Sequence, residues 1–255
     1  HACDAGLSAA RAAAGTGWCM TPAVWTRSHG SVRLVHMYLV RHGQSHVNLG
    51  DLTVEHRDEP LTDLGREQAE RAGQWIRENI HASEFYASSV ARTVQTAEII
   101  GTAVGMHPIL QDGLREIGTC RADGTPIPSA DFEPFIPDLW GTLDPYTPVT
   151  PTGESWMQFR SRIGAFIETL VPATRRNRLG GPPEEDPRRI LIVAHAGVIE
   201  AIFEYIFEKG PWSVVAVETH HTGITHIEHH PWPNRPDWRL HYHNLTHHLT
   251  DEMRT

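Results

Sequence analysis

Hydrophobic positions along the chain change period several times, and each change marks an element. Residues 35–40, "VHMYLV", form a short, mostly apolar run closed by polar residues, the pattern of a strand buried in a sheet. The stretch "LTDLGREQAERAGQWIREN" then moves to helical spacing. In it Gly65, Ala69, Ala72 and Ile76 recur on one side, Thr62 is placed to cap the N-terminus, and Glu67 stands four residues before Arg71. "EFYASS" reads as a second strand, followed by a helix from about Ser89 with Val90, Val94 and Ala97 on one face. A further helix, "GESWMQFRSRIGAFIETLV", turns Trp156, Phe159, Ile163 and Ile167 inward. "RILIVAHAGVIEAIFEYIFEKG" repeats the opening arrangement: an apolar strand from Ile190 to Ala194, His195 at its end, then Gly197 and a helix. "TGITHIEHH" and "WRLHYHN" alternate imperfectly as two more strands. This alternation of strands and helices predicts an α/β fold, a three-layer α/β/α sandwich around a mostly parallel central sheet.

Three segments fall outside the pattern. Residues 117–152 are rich in proline and nearly aperiodic, which predicts a lid or binding loop inserted in the domain. Residues 171–189 read as a polar surface connection whose arginines are offset by Glu184, Glu185 and Asp186. Residues 1–31 are rich in small side chains, lack the compact apolar segment of a secretory signal and open on His1, so they are read as an extension. The domain itself is expected over residues 32–249.

Composition narrows the function classes. At 255 residues and 40% hydrophobic content the chain can bury a proper core. A formal charge of −9 argues against a general nucleic-acid or membrane-surface binder, so any anion site must be local. Cys3, Cys19 and Cys120 are an odd set without CxxC spacing, which predicts neither a disulfide framework nor a zinc site, and makes a reducing cytoplasm the expected location. No apolar run approaches the roughly 18 residues needed to span a bilayer.

The candidate chemistry sits where apolar runs end. Arg41 and His42 close the first strand, and a charge or imidazole at a core edge needs a partner. An isolated Arg-His-Gly would be satisfied by solvent and a backbone carbonyl. Strand ends of α/β sheets are also where ligands bind, and the later blocks decide between the two. "RHGQSHVN" with Arg41, His42, Gly43 and Asn48, "LTDLGREQA", "YASSVARTVQTAEII" with Arg92, "LREIG" with Glu116, "GESWMQFRSRI" and "VAHAGVI" with His195 stand in the order found in the histidine phosphatase superfamily. The resemblance is to its phosphoglycerate-mutase-like branch 1, and it runs from about Met37 to Asn244.

The resemblance implies the following chemistry. His42 attacks phosphorus and becomes a phosphohistidine, for which it must be neutral. Arg41 and Arg92 clamp the phosphoryl oxygens and disfavour the imidazolium. His195 donates to the same phosphoryl group, and the helix starting at Ala196 adds backbone N–H groups and a favourable dipole. Glu116 is the general acid for the leaving oxygen and then the base for water. Asn48, and less directly Gln44, are further substrate contacts. No cofactor or metal is implied. The oligomeric state is left open, a homodimer included.

Within that family the chain departs from the mutases. The acid is followed by "REIGTCRADGTPIP" in place of a basic, tyrosine-containing segment, and residues 121–151 hold Asp123, Asp131, Glu133, Asp138 and Asp144 against a single arginine. A phosphatase is therefore expected over a phosphoglycerate-mutase-type phosphotransferase, acting on a small phosphorylated metabolite such as a sugar or nucleotide phosphate. The 18 histidines raise a rival of another class, a metal-binding protein built on His220, His221, His229, His230, His241, His243, His247 and His248. Adjacent pairs point to opposite faces of a strand, which argues against that rival and for exposed or packing roles.

Overall fold

The computed structural model describes residues 34–50, 60–135, 144–171, 186–207, 216–230 and 236–255. The N-terminal extension and most of the 171–189 connection lie outside the described residues. Six strands and four helices follow in the order β1 (Val35–Arg41), α1 (Asp63–Asn79), β2 (Glu84–Ser88), α2 (Ala91–Val104), β3 (Ile109–Gln111), α3 (Trp156–Leu170), β4 (Arg188–Ala194), α4 (Ala196–Ile206), β5 (Ile224–His229) and β6 (Trp238–Leu245).

All six strands form one sheet in the order β3-β2-β4-β1-β5-β6. β3, β2, β4 and β1 are mutually parallel, whereas β5 runs antiparallel to β1 and β6 antiparallel to β5. The sheet is thus mostly parallel, with an antiparallel edge that periodicity alone does not announce. β3 has only three residues, none of them buried, and went unread for that reason.

Alternate residues of the central strands feed opposite layers. Val35, Met37 and Leu39 of β1, with Ile190 and Ile192 of β4, pack against Phe159, Ile163 and Ile167 of α3 and Val198, Ile199 and Ile202 of α4. Val40, Leu191 and Val193 pack the other way, against Ala72 and Ile76 of α1 and Ala97 and Ile100 of α2. Completely burying a Leu, Ile, Val or Phe contributes about 1.5–3 kcal/mol each, so both layers are held firmly to the sheet. β1 and β4 are neighbours whose following helices lie on opposite faces, which opens a crevice beyond their C-terminal ends.

The helix starts follow the sequence closely. Thr62 Oγ1 accepts from the Gly65 amide at 3.0 Å, Ser155 and Gln158 form a capping box on α3, and Arg71 pairs with Glu67 at 2.8 Å. α2 differs from expectation. Its buried face carries Arg92, Thr93 and Thr96 beside Ala97 and Ile100, while Val94 is only partly buried. That helix buries polar groups because its first turns cover the ligand crevice.

The 117–152 segment is more ordered at its base than its composition suggests. Ile127 N donates to Thr119 O at 2.9 Å and Glu154 N to Cys120 O at 3.1 Å, with Cys120, Ile127 and Thr150 buried. The Arg115 guanidinium ties the base to the domain through Ile127 O at 2.9 Å and Ser89 Oγ at 3.1 Å. Arg162 of α3 does the same from the other side, reaching Glu154, Gly113 O and Arg115 O. Residues 136–143 of this segment lie outside the described residues.

Candidate active site

β1 and β4 deliver the two histidines side by side. Arg41 is the last residue of β1, and the His42 amide donates to Ala194 O at 2.9 Å, tying the two strand ends together. The turn after His42 is crowded against α1: a Cβ at Gly43 would lie 2.4 Å from Gly65 O, and one at Gly65 would lie 1.9 Å from Gln44 O. Both glycines are needed for this approach, which brings the helix start onto the turn. Gly43 N then donates to Thr96 Oγ1 of α2 at 3.0 Å.

The buried His42 ring is held in one protonation state. Its Nδ1 lies 2.7 Å from Gly43 O, and a carbonyl can only accept, so Nδ1 carries the hydrogen. Nε2 is then the lone-pair nitrogen, and it accepts from Arg92 Nε at 3.1 Å. Burial, followed by the positive charges of Arg92 and Arg41, holds the imidazole well below its ordinary pKa. The ring is neutral at neutral pH, with Nε2 as its lone-pair nitrogen.

His195 caps α4 and is fully buried, its ring centroid 5.2 Å from that of His42. Ser88 Oγ at 2.9 Å and Thr93 Oγ1 at 3.1 Å engage its Nε2. Nδ1 is buried without a hydrogen-bond partner among the described residues. Hydroxyls both donate and accept, so Ser88 and Thr93 serve either tautomer of this ring. Burial and the nearby arginines keep this ring neutral as well.

Glu116 stands at the opposite side of the crevice. Its Oε1 accepts from the Ile117 amide at 3.0 Å and its Oε2 from the Gly197 amide at 3.2 Å. Desolvation nevertheless wins over these amides and the charges of Arg92 and Arg41, so its pKa is raised. Gly197 is close because it must be: a Cβ there would lie 2.4 Å from Glu116 Oε1.

Arg41, His42, Asn48, Arg92, Glu116 and Ala196 all line one cavity of about 770 Å³. Its outer wall is made by Val47, Ile117, Phe132, Pro134 and Phe135, with Glu133 the acidic group among them. Gln44 and His195 do not line it. The Gln44 side chain accepts from Thr62 Oγ1 at 2.9 Å and is spent on the α1 N-terminus, so the expected substrate contact is replaced by a structural one.

Sequence reasoning missed His221, which it had grouped with surface or packing histidines. The ring lies 5.6 Å from that of His42, donates from Nε2 to Asn48 Oδ1 at 3.1 Å, and is engaged at Nδ1 by Thr255 Oγ1 at 2.8 Å. Asn48 also accepts from Ser45 N at 3.0 Å and Ser45 Oγ at 2.7 Å, so its orientation is fixed. Burial, helped by the Arg41 charge, lowers His221 to about 3. Ser88, Thr93 and Gly197 were missed too. Small hydroxyl and glycine positions carry no signal before the histidine they touch is located.

The family model of the histidine phosphatase superfamily, branch 1, matches residues 37–244. The chain belongs to this family. Among relatives of the branch 1 chain, "Putative phosphoserine phosphatase 2" of Hydrogenobacter thermophilus is 28% identical over 195 residues, covering 75% of this chain and 88% of that one. A solved mycobacterial glucosyl-3-phosphoglycerate phosphatase superposes with a TM-score of 0.61 at 22% identity, covering 83% of this chain and 99% of the other. Phosphoserine phosphatase from Entamoeba histolytica, solved with phosphoserine, gives 0.59 at 23% identity, covering 85% and 100%. The structural likenesses bear on the fold, and they agree with the three-layer architecture expected from sequence. The family and its phosphatase-named members make this histidine phosphatase a hydrolase of phosphate monoesters.

Proposed function

We propose that the protein hydrolyses the phosphate monoester of a small metabolite through a phosphohistidine on His42, with Glu116 as acid and then base. The observation that carries this reading is the proton arrangement at His42. Nδ1–H is fixed on Gly43 O, and the Nε2 lone pair, at the cavity wall, accepts among the described residues only from Arg92 Nε, a bond it gives up when it attacks and Arg92 turns to the phosphoryl oxygens.

In the first step Nε2 forms a bond to phosphorus as the P–O ester bond breaks, and Glu116 gives its proton to the departing oxygen. Arg92 and Arg41 hold the equatorial oxygens, and His195 Nδ1–H supplies a donor to the same group. In the second step Glu116, now ionised, takes a proton from water while that water's oxygen attacks phosphorus. The P–N bond breaks, and inorganic phosphate and neutral His42 are restored.

The cavity wall narrows the substrate. Beyond the phosphate-binding groups, its described residues offer aromatic and aliphatic surface, the hydroxyl residues Thr119 and Ser129, and one carboxylate, with no further cation. The alcohol part of the ester is therefore apolar, neutral or amine-bearing, and a second phosphate or carboxylate is disfavoured, which also supports hydrolysis over mutase chemistry. Phosphoserine, the ligand of one solved neighbour, and glucosyl-3-phosphoglycerate, the compound in another's name, both carry a carboxylate and are the comparison compounds against neutral monoesters in a panel. Protein quenched during turnover carries an acid-labile, base-stable phosphoryl group, and His42→Ala removes both label and turnover while the protein stays folded. A label on serine or aspartate, or turnover surviving in His42→Ala, overturns the mechanism.

A further inference from the structure

A second group of histidines converges far from the catalytic cavity, on the face of the sheet shared by β1, β5 and β6. His36 of β1, His226 of β5 and His241 of β6 each offer one ring nitrogen, and the three nitrogens all lie within 4.8 Å of one another. Six residues of extended chain separate His36 from His42, roughly 20 Å at about 3.3 Å per residue, so this group does not belong to the phosphate site.

The sheet brings them together by two devices. In the antiparallel ladder Tyr38 faces His226 and His36 faces Glu228, which sets His36 diagonally beside His226 with Nδ1 and Nε2 2.9 Å apart. On the other side, Ile227 pairs with Leu240 and His226 with Tyr242, leaving His241 as the extra residue of a β-bulge. The bulge turns His241 onto the His226 ring, where the two stack 4.3 Å apart. Strand alternation would have sent Tyr242 alone to this face; the bulge places His241 there beside it.

We propose that His36, His226 and His241 bind one first-row transition-metal cation of the zinc class, clipping β1, β5 and β6 together. Three imidazoles suit Zn²⁺, Co²⁺, Ni²⁺ or Cu²⁺, and do not suit Mg²⁺ or Ca²⁺, which take oxygen ligands. Metal–nitrogen bonds of about 2.0–2.1 Å in a tetrahedral site put ligand nitrogens roughly 3.3 Å apart. Because imidazole lone pairs lie in the ring planes, binding requires the His241 ring to turn out of its stack on His226; His36 is only partly buried and His241 is exposed, which leaves both rings room to turn. The fourth position is left to water.

The lone pairs are already available. A hydrogen bond between His36 Nδ1 and His226 Nε2 needs one nitrogen to accept. The hydrogen on the other moves to the far nitrogen of its own ring when both bind metal, so no net proton need be released. Glu228 Oε2 lies 2.8 Å from His241 Nε2, and Glu228 also pairs with Arg239. That carboxylate fixes the His241 tautomer as Nε2–H, makes Nδ1 the free donor, and offsets part of the incoming charge, as outer-shell carboxylates do for metal-bound histidine.

The full chain, freed of metal by dialysis against EDTA, is titrated with Co²⁺ and with Zn²⁺. One saturable equivalent is expected, with Co²⁺ absorption of a low-coordinate nitrogen site and a rise in Tm at saturating Zn²⁺. His241→Ala, an exposed substitution, and His36→Gln each weaken binding at least tenfold. His247→Ala, at an exposed histidine outside the cluster, and His42→Ala, at the catalytic cavity, bind as the parent does. Unchanged affinity in His241→Ala and His36→Gln, loss of binding in His42→Ala, or the absence of saturable binding overturns the assignment.

Discussion

Gly197→Ala tests the role of Glu116 without touching it. The added Cβ would stand 2.4 Å from Glu116 Oε1 and 3.1 Å from the carboxyl carbon. Restoring ordinary contact distances pushes the carboxylate back by about 1 Å and breaks the 3.2 Å bond from the Gly197 amide to Oε2. A displacement of that size at a reacting group costs on the order of a hundredfold, or about 2.7 kcal/mol of transition-state stabilisation. Stability moves the other way. Gly197 lies in the first turn of α4, where alanine gains up to about 1 kcal/mol of helix propensity over glycine. The assay compares kcat/KM for an alkyl phosphate, whose leaving oxygen must be protonated, with that for p-nitrophenyl phosphate, which departs as a stable anion. The expected outcome is a loss near a hundredfold on the first and less than about threefold on the second, with Tm unchanged or higher. Glu116→Asp shortens the side chain by one methylene and vacates the disputed space, so adding Gly197→Ala to it costs little further activity. Equal losses on both esters would refute the reasoning, as would full additivity of the two substitutions.

The pKa shifts predict a pH profile with a defined owner for each limb. Glu116 is raised and His42 well lowered, so kcat/KM for alkyl esters declines as pH rises through the Glu116 ionisation. A His42 resonance titrating near 6.5 by NMR would contradict the scheme. Glu133 sits on the cavity wall with its Oε2 held by Thr152, and Glu133→Lys is expected to improve hydrolysis of carboxylate-bearing monoesters about tenfold relative to neutral ones. An unchanged ratio between the two substrate classes would remove Glu133 from specificity. Stability should fall with acidification, because His221 titrates at about 3 in the folded chain and at about 6.5 when unfolded. The unfolded state takes up the proton first, so stability is full above pH 6.5 and is lost progressively as pH falls toward 3, by on the order of a few kcal/mol from this residue. Urea melts of the parent and His221→Gln at pH 7 and 4.5 measure it; equal acid sensitivity of the two would assign the loss elsewhere.

How legible these features were in the sequence depends on how local their cause is. α1 was readable because Thr62, Gly65, Ala69, Ala72, Ile76 and the Glu67–Arg71 pair all act within one helix. β4 was readable because Ile190–Ala194 is buried on both faces and stays apolar, and β1 because Val35, Met37, Leu39 and Val40 are buried and apolar. α2 misled on Val94, since its inward face is set by the phosphate site and carries Arg92, Thr93 and Thr96. The antiparallel turn of β5 and β6 depends on which edge of β1 is left open once β4 occupies the other, a choice made across more than 150 residues. His42, Arg92, Glu116 and His195 were named in advance only because six blocks stand in one order. Gln44 was misplaced and His221 overlooked, because spacing along the chain does not say which side of a turn faces the cavity. The histidine trio on β1, β5 and β6 needs a bulge at His241, and a bulge has no period to detect.

The catalytic proton and the packing of α1 turn out to depend on the same peptide. The carbonyl that fixes hydrogen on His42 Nδ1 belongs to Gly43, and the missing side chain of Gly43 is what lets Gly65 come close. Were α1 held further out, the turn would be free to rotate and Gly43 O could leave the ring. Nδ1 would then be as ready to accept as Nε2, and the nucleophilic lone pair would face the cavity only part of the time. The second glycine, Gly65, secures the same turn from the helix side, since its Cβ would collide with Gln44 O. Gln44 in turn holds Thr62, the residue that starts the helix. In the proposed mechanism Gln44 therefore serves the reaction without meeting the substrate: it holds the helix start that holds the turn, and the turn sets which nitrogen of His42 carries the lone pair.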